Sequence, residues 1–172
     1  MVGLTSTETK KISFEKDLRL EYKFARTIKS ILGNQFIIKE VTADVKEATD
    51  FAIFNVKPFR VGARLRRYKY YQNPEYRDQF TIRYKRPSGV KTEIDKIRDG
   101  LVQYILYGFI DAGEKKIIQY FIGDLGVFLD SGIEPFEIHE NDPHDSDFAV
   151  YRLCDFPNEF IVKLWCEKDK AA

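Results

Sequence analysis

At 172 residues and 20.2 kDa the chain is the size of one domain, long enough to bury roughly 70% of the surface its unfolded form exposes. Its 44% hydrophobic and 32% charged residues, with 10 glycines and 6 prolines, exclude the disordered, collagenous and low-complexity classes. The 28 basic and 27 acidic residues leave a net charge of +1, no apolar run reaches the ~18 residues of a membrane span, and residues 1–10 lack the apolar stretch of a signal peptide. A cytoplasmic protein with no membrane partner is expected.

In chain order, apolar residues at Leu18, Ala25, Ile28 and Leu32 keep helical spacing and predict a helix over 15–32, closed by Gly33-Asn34 as a left-handed cap. Glu21 falls on the same face as that stripe. Segments 35–41 and 51–56, rich in β-branched and aromatic residues between polar breaks, read as strands, and the chain after Pro58 is expected to stay extended through Leu65 to Tyr71. Asn73-Pro74 marks a turn. Strict alternation of Phe80, Ile82 and Tyr84 with Gln79, Thr81, Arg83 and Lys85 predicts a strand over 79–85 with one polar face.

Pro87-Ser88-Gly89 breaks that strand, and Thr92 with Asp95 forms a capping box opening a helix. Ile94, Ile97, Leu101 and Ile105 carry the helical spacing to about Phe109. Asp111 to Gly113 turns the chain into a strand over 116–122, ended by Gly123-Asp124. The acid-rich stretch 130–147 reads as a long loop, and 148–153 with 160–165 as a terminal hairpin around residues 155–158. Cys154 and Cys166, placed in that hairpin about 16 Å apart, would be two free thiols. The fold class expected is α/β: a single domain over 1–172, with a core at about 15–125 made of a central mixed β-sheet flanked by helices, and a C-terminal loop and β-hairpin over 126–172.

Charge is unevenly distributed. From Arg60 to Arg86 nine bases face two acids, whereas from Asp130 to Glu159 nine acids face the single base Arg152. The basic strip, with Arg60, Arg64, Arg66, Arg67 and Lys69 interleaved by Tyr70 and other tyrosines, suits a nucleic acid: guanidinium groups hold phosphates while rings stack on bases. The opposed charges also allow two solvated faces that attract one another, or a homo-oligomer.

Phosphate-loop, dinucleotide-binding and zinc-ligand spacings are missing. The only histidines, His139 and His144, sit in the acidic loop, where with Glu140, Asp142 and Asp145 they offer a weak divalent-metal cluster. The remaining chemistry lies in carboxylates and bases along the expected sheet: Glu21 on the first helix, Asp50 at the entry to strand 51–56, and the cations of 79–85. This order of elements resembles the PD-(D/E)XK nuclease superfamily over about residues 15–125. The resemblance implies a restriction-endonuclease-like core and Mg²⁺-dependent or Mn²⁺-dependent hydrolysis of phosphodiester bonds in DNA. By position it makes Glu21 the helix carboxylate and Asp50 the metal-binding aspartate. No carboxylate stands on the polar face of 79–85, so the second metal ligand would be Glu93 on the following helix. Arg83, Lys85 or Lys96 would supply the positive charge. A metal-held water attacking phosphorus, with a cation against the developing charge, is the chemistry those residue types serve. The alternative is a module of the same fold that binds nucleic acid without cleaving it.

Overall fold

The computed structural model describes residues 22–36, 60–86, 89–140 and 146–167. The chain falls into two compact units, Met1–Pro58 and Phe59–Ala172. In the first, the described element is helix α1, Ala25–Phe36, which buries Ile28, with Phe24 just before it also buried and four residues away. Gly33 and Asn34 lie within this helix and do not end it. Gly33 is not among the positive-φ residues, so it lacks the left-handed conformation that makes glycine a C-cap. Residues 35 and 36, expected to begin a strand, are its last two positions; 37–41 and 51–56 lie outside the described residues.

The second unit is α/β, with seven strands among its described residues. Strands β1 (Val61–Arg66), β3 (Tyr104–Ile110), β4 (Ile117–Asp124) and β7 (Ile161–Cys166) form a four-stranded mixed sheet in the order β1-β3-β4-β7. β1 runs parallel to β3, and the other pairings are antiparallel. A second, antiparallel sheet has the order β2-β6-β5, from β2 (Gln79–Lys85), β5 (Glu137–His139) and β6 (Asp147–Arg152). Short helices α2 (Tyr68–Tyr71), α3 (Pro74–Arg77), α4 (Glu93–Arg98) and α5 (Leu125–Asp130) connect them.

The alternation read over 79–85 corresponds to β2: Phe80 and Ile82 are fully buried, with Thr81 and Arg83 on the opposite face. Phe80 anchors the core, its ring 5.4 Å from those of Phe121 and Tyr151 and 5.5 Å from Phe160. The Phe80 ring thus joins β2, β4, β6 and the turn before β7 in one apolar cluster.

Four expectations are corrected. The chain is not extended to Tyr71: β1 stops at Arg66, and Tyr68–Tyr71 makes a helical turn, after which the Asn73 side chain caps α3 by accepting from the Glu75 N–H at 3.1 Å. The helix opened by Thr92 does not reach Phe109; it closes after Arg98, where Gly100 takes φ 67°, and Tyr104–Ile110 becomes a central strand. Sandwiched between β1 and β4, that strand is buried at six of its seven positions, and a continuous apolar run carries no period that separates strand from helix. The terminal strands exist but form no hairpin, because β6 joins the second sheet and β7 the first. Two single-turn 3₁₀ helices, Leu153–Asp155 and Asn158–Phe160, carry the chain across, with Leu153, Phe156 and Phe160 buried on the way. The expected long loop also holds β5, and the piece after Asp124 is α5, capped by the Asp124 carboxylate accepting from the Gly126 and Val127 N–H groups. Both cysteines are free and exposed, though not for the reason a hairpin would give.

Candidate functional site

Where β1, β2 and α4 meet, the second unit holds a cavity of about 290 Å³. Its lining includes Arg64 from β1, Arg83 from β2, Arg86 just beyond β2, and Lys91, Glu93 and Lys96 at the start of α4 and within it. Ile97, Ile105 and Leu125, each about 2% exposed, also line it, so the inner wall is apolar while the exposed Lys91 and Lys96 stand at the mouth. Five cations thus face one carboxylate. Two of these cations are paired, Arg64 with Glu93 and Lys91 with Asp99, and against an apolar wall, where water screens poorly, the remaining charge leaves a positive local potential.

Local chemistry fixes each group. The capping box at the head of α4 joins Thr92 and Asp95: the Thr92 N–H donates to Asp95 Oδ2 at 2.8 Å, and the Thr92 hydroxyl also donates to that oxygen at 2.8 Å. The hydroxyl also lies 3.2 Å from the Tyr84 carbonyl, tying α4 to β2. Hydrogen bonds from the Thr92 backbone and side chain hold the Asp95 carboxyl below its ordinary value. Lys91 donates to Asp99 Oδ2 at 2.6 Å, and that bond raises its pKa.

Glu93 organises the interior of the site. Its Oε2 accepts from Arg64 Nη2 at 2.6 Å and from the Arg83 backbone N–H at 3.0 Å. Arg64 is held further by Nη1, 3.3 Å from the Thr81 carbonyl and 3.2 Å from its hydroxyl. The Arg64 and Arg83 guanidinium groups lie 5.4 Å and 5.6 Å from the Phe148 ring centroid, within cation–π range. One acid therefore clamps a strand, a neighbouring strand and a helix together, and Arg64 is a strut as much as a surface charge. Arg86 and Lys96 make no ion pair with any carboxylate among the described residues.

The structure gathers four of the residues singled out from sequence, Arg64, Arg83, Glu93 and Lys96, in one cavity. Lys85 is exposed and does not line it. Arg60 also lies apart, its backbone N–H donating to Gln103 Oε1 at 2.7 Å. Arg66, Arg67, Lys69 and Tyr70 form a separate group at the far end of β1, with the Arg66 guanidinium 4.0 Å and the Lys69 ammonium 4.9 Å from the Tyr70 ring centroid. Arg67 faces Glu114 at 3.9 Å. Glu21 and Asp50 lie outside the described residues, as do Asp142, His144 and Asp145.

Sequence reasoning passed over Arg86 and Lys91 as site residues, and the apolar wall altogether. Lys91 had a readable signal, since it immediately precedes the capping residue Thr92. Val102, Ile105 and Leu125 come from segments with no local mark of a cavity.

A Mg²⁺ ion needs several hard oxygen ligands. Among the described residues no three of His, Cys, Asp and Glu are grouped to hold a metal. Glu93 is the single carboxylate lining the cavity, and its Oε2 already accepts two N–H groups. The described residues by themselves do not fit a divalent cation. No family model matches the chain, and neither a curated protein nor a solved structure matches it.

Proposed function

We propose that this protein binds nucleic acid through its phosphates, with the cavity between β1, β2 and α4 as the principal contact. The observation that carries this reading is the convergence of Arg64, Arg83, Arg86, Lys91 and Lys96 on one recess holding a single acid already engaged in internal hydrogen bonds. Guanidinium and ammonium groups donate to phosphate oxygens, arginine in a fixed fork and lysine as a point charge. The second group of cations, Arg66 at the end of β1 and Lys69 beside Tyr70 in α2, adds positive charge next to that strand, and Tyr76, 41% exposed, stands 6.3 Å from Tyr70. A polyanion with bases able to stack matches cations and rings together better than an isolated inorganic ion does.

Fluorescence anisotropy of labelled single-stranded and duplex DNA across a salt series tests this. Affinity is expected to fall steeply with salt, and Arg86→Ala combined with Lys96→Ala to weaken binding at least tenfold and flatten the salt slope. Salt-insensitive binding, or binding unchanged by the double substitution, overturns the assignment.

A hydrolytic reading, the Mg²⁺-dependent DNA nuclease that the element order resembles, is favoured by Glu93, Arg83 and Lys96 lining one cavity. It requires a second carboxylate beside Glu93, and no other acid lines the cavity among the described residues. Plasmid incubated with Mg²⁺ or Mn²⁺ discriminates: cleavage abolished by EDTA and by Asp50→Ala supports hydrolysis, and intact plasmid under conditions that give binding supports the non-cleaving module.

A further inference from the structure

The recess is small and combines cations with apolar side chains. Three of its lining residues, Ile97, Ile105 and Leu125, are almost completely buried, whereas Lys91 and Lys96 are exposed, so the cavity has a cationic outer side and an apolar floor. Its volume of about 290 Å³ is at the small end of sites that enclose an organic molecule, which run from about 300 to 1,000 Å³. A phosphodiester inside a strand carries one charge and has chain on both sides, which must enter and leave; a concave recess serves it poorly. A phosphomonoester carries close to two charges at neutral pH and has chain on one side only. Its Coulomb attraction to the same cations is correspondingly larger.

From this geometry we infer that the cavity recognises a terminal phosphomonoester of a nucleotide, with the phosphate held by Arg83, Arg86 and Lys96 and the attached nucleoside against the half-buried Val102. The inference rests on the phosphate-binding reading above and narrows it to a ligand class. Arg64, drawn back onto Glu93 and Thr81, sets the position of β1 and lends charge without having to touch the ligand. A strand end and a free nucleotide present the same chemistry.

The test is anisotropy with three single-stranded oligonucleotides of one sequence, bearing a 5′-phosphate, a 3′-phosphate or hydroxyls at both ends, each labelled away from the modified end. One of the phosphorylated strands is expected to bind at least tenfold more tightly than the hydroxyl strand. Lys96→Ala and Arg86→Ala, both on the rim, should erase that difference, with circular dichroism confirming that each variant keeps its fold. Displacement of the strand by a nucleoside monophosphate identifies the free nucleotide as a ligand. Retention of the end preference with no displacement identifies the strand end. Equal, salt-sensitive affinity for all three strands overturns the end-recognition inference and leaves phosphate binding standing; no binding of any strand overturns both.

Discussion

Gly123 and Gly108 show how tightly single positions are constrained. A Cβ at Gly123 would lie 2.7 Å from the Phe160 ring, itself fully buried, and one at Gly108 would lie 2.8 Å from the Gln119 carbonyl oxygen. At Gly108 the obstacle is backbone within the β3–β4 ladder, which cannot rotate aside. Gly108→Ala is therefore expected to destabilise the protein by about 1–3 kcal/mol in urea unfolding. Phe80→Ala, which empties the centre of the aromatic cluster, should cost about 3–5 kcal/mol and Phe80→Leu clearly less. Glu93 combines structure with charge. Glu93→Gln keeps an acceptor for the Arg83 N–H but removes the ion pair with Arg64, so it should lower the melting temperature modestly while tightening phosphate binding, because the one acid of the cavity is neutralised. Loss of binding in Glu93→Gln with the fold intact would instead favour a direct role for that carboxylate in the chemistry.

At the scale of elements, the capping box sets the start of α4 and with it the positions of Lys91 and Lys96. Thr92→Ala should lower the melting temperature by about 2–4 °C near pH 7. Asp95 supplies the other half of the box, and its pKa is depressed below the ordinary 3.8 by the hydrogen bonds from Thr92. A depressed carboxyl stabilises the fold above its unfolded pKa, and that contribution disappears as pH falls through the lower folded value. The melting-temperature gap between the native chain and Thr92→Ala should accordingly narrow below about pH 3.8, and a constant gap would remove Asp95 from the account. Asp111 behaves in the same sense: the N–H groups of Lys116 and Lys115 donate to its Oδ1 and hold it low, tying the β3–β4 turn.

Across the whole molecule, some local patterns were legible where one face met solvent. The alternation in β2 and the Thr92–Asp95 box could be read from the chain, because period and cap chemistry are properties of a few consecutive residues. β3 could not, since it is buried at nearly every position and presents an apolar run without a period. The terminal strands were found, but their partners were not: sequence proximity favoured a hairpin, whereas the buried Leu153, Phe156 and Phe160 route the chain from one sheet to the other. Cys154 and Cys166 are both exposed and free, so a maleimide should label two thiols per chain without denaturant. Charge followed the same division. The residues alone established that the stretch 60–86 is cationic and that Glu93 heads a helix. The folded unit divided those cations between an enclosed cavity and the far end of β1, and turned Glu93 into the partner of Arg64, 29 positions away. Composition and period are short-range quantities carried by the chain itself, whereas a cavity is the space left between segments distant in sequence, so its lining exists only once those segments have packed.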